Sequence, residues 1–131
     1  MQFSSDSRHI GQPAEVVFNF LSDLTRLGEL MPDQVVNWQA TPDKCSFTIQ
    51  GMTDISLQID QKLPNSLISL VPYGKSPFAF SLQAHVKDLG DSSDVHITLD
   101  ADLNPMLAMM AKRPLQNLVQ VMADKLTNID F

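Results

Sequence analysis

The sequence predicts an α+β architecture in which a curved, seven-stranded antiparallel sheet wraps around one long C-terminal helix, with two short helices between the first and second strands. Three observations support it. From Val35 to Leu103 apolar residues recur at every second position, in segments closed by turn residues, as strands with one dry and one wet face require. Only one stretch, Asn104 to Ile129, keeps a helical period over many turns. Between Pro13 and Leu30 two short helical patterns meet at a break near Ser22 and Asp23. Consecutive strands joined by short turns pair as antiparallel neighbours, which leaves the long helix the dry face of the sheet.

Taken in order, Phe3 to His9 alternates weakly and stops at Gly11, a poor first strand. Pro13 opens a helix in which Val16 or Val17, Phe20, Leu21 and Leu24 share a face, with Glu15 favourably placed in its first turn. Asp23 can cap the second piece through Leu30, and Pro32 closes it. Six strands follow: Val35 to Thr41, Lys44 to Gln50, Asp54 to Lys62, Ser66 to Tyr73, Phe78 to Lys87 and Asp94 to Leu103. The last is the most regular, Val95, Ile97, Leu99, Ala101 and Leu103 opposing His96, Thr98, Asp100 and Asp102. The closing helix has Asn104 as its cap and Pro105 where a missing N–H is harmless. Leu107, Ala111, Leu115, Leu118, Met122, Leu126 and Ile129 form its apolar face. Pro114 predicts a kink between Met110 and Pro114, and a kinked helix over a curved sheet predicts a hollow with Met106, Met109 and Met110 near its mouth.

A chain of 131 residues is one domain by size, residues 1–131, and buries roughly two-thirds of its unfolded surface without a disulfide or metal staple. The net charge of -6 and a single adjacent basic pair, Lys112 and Arg113, argue against nucleic acid as a partner. The one cysteine, Cys45, cannot form an internal disulfide, which suits a reducing compartment. MQFSSDSRHI lacks the basic start and apolar run of a secretion signal, and no apolar run is long enough to cross a bilayer, so the expectation is a soluble cytoplasmic protein with no integral membrane segment.

With the weak first strand, the PAEVVFNFLSDLTRLGELMP helical pair and the closing ADLNPMLAMMAKRPLQNLVQVMADKLTNI in place, essentially the whole chain resembles the helix-grip superfamily called SRPBCC. That superfamily is shared by START lipid-transfer domains, the birch-pollen allergen and polyketide cyclase-like proteins. The closing segment is most similar to a subgroup of small bacterial proteins, typically from Bacteroidetes, in which a strand ends in D-L-N-P and the helix carries K-x-P-L-Q. Lys112, Pro114, Leu115 and Gln116 match that step. The resemblance implies the fold and is nearly silent on chemistry, because the same scaffold serves ligand carriers, cyclases, ubiquinone-binding proteins and chaperone co-factors.

No Ser-His-Asp arrangement, nucleotide-binding glycine loop or zinc spacing is present, and no cofactor is implied. His85 and His96 fall on the wet side of their strands, whereas His9 shares a phase with Phe3 and could face the interior. Cys45 alternates with Phe47 and Ile49 as a small core residue, and Asp88, Asp91 and Asp94 surround a polar turn. Trp38 and Tyr73 can pack as core or offer a polar handle at a pocket rim. The leading expectation is non-catalytic binding or transport of a small apolar or amphipathic molecule between sheet and helix. Its lining would come from Trp38, Phe47, Leu57, Leu70, Tyr73, Phe80, Leu82, Ile97 and Leu99, facing Met106 and Met110. A cyclase or hydratase-like enzyme using His9, Tyr73 or Trp38 is the alternative, and predicts polar side chains converging in the pocket. A protein-interaction module is the third, and predicts a solid core with a large exposed apolar patch.

Overall fold

The computed structural model describes residues 1–74 and 79–131. Its elements run β1 (Gln2–Ser4), β2 (Arg8–Ile10), α1 (Ala14–Leu21), α2 (Leu24–Leu27), a 3-10 turn (Gly28–Leu30), β3 (Val35–Ala40), β4 (Lys44–Ile49), β5 (Thr53–Leu63), β6 (Leu67–Pro72), β7 (Phe80–Asp88), β8 (Ser93–Ala101) and α3 (Pro105–Leu126). The sheet is antiparallel in the order β1-β8-β7-β6-β5-β4-β3, with β2 also on β8. This is the expected α+β helix-grip architecture, with the first strand divided in two. Phe78, expected to point inward, lies outside the described residues.

The division of the first strand has a specific cause. Ser5 gives its backbone N–H to the carbonyl of Ile97, and its hydroxyl oxygen accepts the Ile97 N–H at 2.9 Å. A side chain thus replaces one rung of the ladder, and pairing resumes only at Arg8 opposite Val95. The same segment is fastened to α3: the Asp6 N–H donates to Gln120 Oε1, Gln116 Nε2 to the Ser4 carbonyl, and Arg8 Nε to Asp124 Oδ1 at 2.7 Å.

Local chemistry sets the helices. Asp23 caps α2 by accepting from the Thr25 N–H at 3.1 Å. Asn104 caps α3 by accepting from the Leu107 N–H at 2.9 Å. In α1, Val17 is buried and Val16 exposed. Along α3 the buried face is Ala111, Leu115, Leu118, Val119, Met122, Ala123 and Leu126, wider than the single stripe read from spacing; Leu107 is only half-buried, and Ile129 lies beyond the helix. The helix is continuous through Pro114. The Pro114 carbonyl accepts from Gln34 Nε2 at 2.9 Å, and Gln34 Oε1 in turn accepts from Asn117. That clasp ties the middle of α3 to the entry of β3.

At the far end, Lys125 Nζ donates to the Met31 carbonyl at 2.7 Å. The ring of Phe131 meets Phe20 edge-on with centroids 5.3 Å apart, and the Arg26 guanidinium lies 4.6 Å above the Phe20 ring. The core is continuous from the strand faces through α1, α2 and α3. Among the described residues, no helix is long and apolar enough to cross a membrane.

Candidate functional site

The inner face of the sheet carries one row in which size drops abruptly. Ile68 on β6, Ala84 on β7 and Ile97 on β8 are direct cross-strand partners, so a methyl group stands between two branched side chains. In the next row Leu70, Leu82 and Leu99 are all large. Above Ala84 the packing does not close: Leu21 from α1, Leu27 from α2 and Met122 from α3 roof a small void floored by Ile68, Leu70, Leu82, Ala84 and Ile97. Only about 10 Å³ of it admits the centre of a water-sized sphere, the size of a single water site. The named walls are hydrocarbon apart from the Met122 thioether, so water there would lack the two or more polar partners that hold it.

The expected lining divides on inspection. Leu70, Leu82 and Ile97 border the void. Phe47, Leu57, Phe80 and Leu99 are buried in the same core without reaching it. Met106 and Met110 are not opposite the sheet: Met106 is 74 %, Met109 85 % and Met110 62 % exposed. Their placement corrects the expectation, and the reason is phase, since Leu107, Ala111 and Leu115 turn the other side of α3 inward. The void also lies at Met122, about 12 Å along the helix from Pro114 rather than beneath Met110. Leu21, Leu27, Ile68, Ala84 and Met122 were not singled out as lining from the sequence. The usable signal was Ala84, a small residue between Leu82 and Val86 on an otherwise bulky strand face.

The polar candidates do not converge. Trp38 stacks on Phe47, centroids 5.2 Å apart at 20°, and the pyrrole edge of its indole fills the place a side chain on Gly28 would take. Its buried Nε1 finds no acceptor among the described residues, and it does not border the void. Tyr73 lies under the Lys44 ammonium, 5.4 Å from the ring centroid. His9 is on the outer surface, its Nδ1 3.0 Å from Asp94 Oδ1 and its side chain 64 % exposed, so the inward alternative is excluded. Burial pushes the Cys45 thiol up to about 12, outweighing a hydrogen bond with the Leu57 backbone, so it stays protonated and is no nucleophile. Among the described residues no group of three His, Cys, Asp or Glu side chains could hold a metal ion.

His85 and His96 are direct partners on the wet face, with parallel rings 4.4 Å apart, and His85 Nε2 is 3.0 Å from Thr98 Oγ1. Burial and then the neighbouring His96 hold the His85 imidazole below its ordinary 6.5. The unfolded chain therefore takes up the proton first. Stability from this group is complete above about pH 6.5 and is lost as pH falls toward the lower folded value. Thermal melts across that range should show a steeper acid-side loss for the native chain than for His85→Gln; identical pH slopes would contradict this account.

Against solved structures the likeness spans nearly the whole chain. A START superfamily protein from Mycobacterium smegmatis matches with a TM-score of 0.68 at 17% identity, covering 97% of this chain and 94% of that one. A conserved protein from Geobacillus kaustophilus matches at 0.70 and 15% identity, over 98% and 93%. Norcoclaurine synthase from Thalictrum flavum, in truncated form, matches at 0.68 and 12% identity, over 98% and 92%. No family model and no curated protein matches the sequence. With its bent antiparallel sheet closed around α3 and its paired short helices, the chain has the START-like helix-grip fold.

Proposed function

We propose that this chain binds a small apolar molecule at the void between sheet and helices, without catalysing its conversion. The observation that supports the reading is the apolar void itself, bounded by side chains from α1, α2, α3 and three strands at one place. The START superfamily and norcoclaurine synthase likenesses agree with a ligand-binding scaffold. A guest gains about 25 cal/mol per Å² of apolar surface removed from water. The space at rest is far below the roughly 300 Å³ of an ordinary ligand pocket, so the guest is compact or enters by displacing Met122 and its neighbours. Catalysis is the weaker reading because, among the described residues, the void is lined by apolar side chains and none is a positioned acid or base. The setting we favour is cytoplasmic, in keeping with the single buried thiol of Cys45.

The test is a methyl-resolved NMR titration with benzene, indole and short isoprenoid alcohols, alongside thermal shifts. Binding should move the methyl signals of Leu27, Ile68, Leu82, Ile97 and Met122 and raise the melting temperature. Ala84→Leu, which fills the floor of the void, should abolish both effects in a chain that still melts cooperatively. Shifts that persist in Ala84→Leu, or no shift with any compound, would refute the proposal.

A further inference from the structure

The first two turns of α3 carry an apolar surface that is exposed among the described residues. Met106, Met109 and Met110 lie three and four positions apart, share one side of the helix and are all more than half exposed. One turn on, Arg113 continues that side and Lys112 stands at its edge next to Met109, both exposed. Neither has an ion-pair partner among the described residues. Arg113 borders a groove that contains Asp6 and Asp124, yet both carboxylates are engaged by Arg8, at 3.7 and 2.7 Å. Arg26, in contrast, is paired with Glu29, and Lys125 and Lys44 have partners of their own. Lys62 and Lys87 are unpaired too, but they lie on strands, whereas Lys112 and Arg113 stand beside the one cluster of exposed large apolar side chains on a helix among the described residues.

We infer that this surface docks an acidic amphipathic helix of a partner protein, its apolar face on the three methionines and its carboxylates on Lys112 and Arg113. Flexible thioether side chains adapt to varied apolar partners, and the adjacent cations select the sign of the flank. An anionic bilayer offers similar chemistry but fits less well. The chain's net charge of -6 opposes approach to such a surface, and exposed Asp100 and Asp102 occupy the strand end that leads into α3. A peptide needs only the local match. This inference stands on the outer side of α3 and does not depend on the void.

The probe is a synthetic helical peptide of about 18 residues, some 27 Å long, with leucines at helical spacing and glutamates flanking them. A second peptide carries lysines in the flanks, and vesicles of phosphatidylcholine with about one quarter phosphatidylglycerol are the third arm. The full chain should bind the glutamate peptide, with backbone NMR shifts confined to residues 106–113 and affinity falling as salt is raised. The triple change Met106→Ser, Met109→Ser, Met110→Ser should weaken binding about tenfold or more with an unchanged melting temperature. Lys112→Glu with Arg113→Glu should reverse the preference toward the lysine peptide, and Ala84→Leu should leave binding intact. Equal affinity for both peptides, shifts elsewhere on the chain, no binding, or binding to the vesicles alone would each overturn the inference.

Discussion

Met122→Ala should lower the free energy of unfolding by about 2–5 kcal/mol, the cost of truncating a buried side chain that cannot be fully replaced by collapse of its surroundings. Met122 is 1 % exposed and roofs the void over Ala84, so truncation joins new empty volume to space already there. Urea denaturation should show a lower midpoint at nearly the same slope, because the surface exposed on unfolding barely changes. Met122→Leu keeps most of the volume and should cost less than about 1.5 kcal/mol. The enlarged space then becomes the more informative result. Benzene should raise the melting temperature of Met122→Ala more than that of the native chain, since a guest that binds only the folded state stabilises it. A loss below about 1 kcal/mol, or no added response to benzene, would mean that α3 settles onto the sheet and the roof is not fixed.

Gly28→Ala should destabilise by about 1–3 kcal/mol, although alanine is the better helix former. A methyl group there would lie 2.8 Å from both Cδ1 and Nε1 of Trp38 and 3.0 Å from its Cγ, closer than such atoms approach. The indole is rigid and is stacked on Phe47, so moving it disturbs that contact. Gly11→Ala is the control, with nothing within 4 Å of the added carbon, and should stay within about 0.5 kcal/mol of the native chain. Because Trp38 is the only tryptophan, its emission should shift in Gly28→Ala and not in Gly11→Ala. Trp38→Phe in the Gly28→Ala background should recover part of the loss, since the smaller ring vacates the contact. Equal melting curves for the two alanine variants would remove the steric explanation.

Signals carried by neighbouring residues were legible in the sequence. Asn104 before Pro105 marked the start of α3, Asp23 marked α2, and alternation from Val35 onward marked strands that the ladder bears out to within a few residues. What depended on distant partners was not legible. Nothing near Ser5 announces that its hydroxyl meets Ile97, so the first strand read as one weak element. The bulge at Asn37, which sits at φ 59 and lets β3 shift register between Val36 and Gln39, lies inside an otherwise plausible strand pattern. The methionines are a different case. Their positions relative to Leu107 and Ala111 already put them on the outer side of α3, and periodicity was the better guide than proximity to Pro114. The void was hinted at only by Ala84, because packing defects are set by three elements at once and leave little trace in any one of them.

β8 pairs with β7 on one side and with both β1 and β2 on the other. During synthesis the first ten residues therefore wait for a strand made some ninety positions later, and until it emerges they have no ladder to join. Closure belongs to a late stage of folding, after the β3 to β7 meander can already form through local hairpins. Such long-range pairing is intrinsically slow, on the order of milliseconds to seconds, and leaves a bare β7 edge in the interval. The nascent chain is most open to wrong association just before β8 arrives, however stable the finished molecule is.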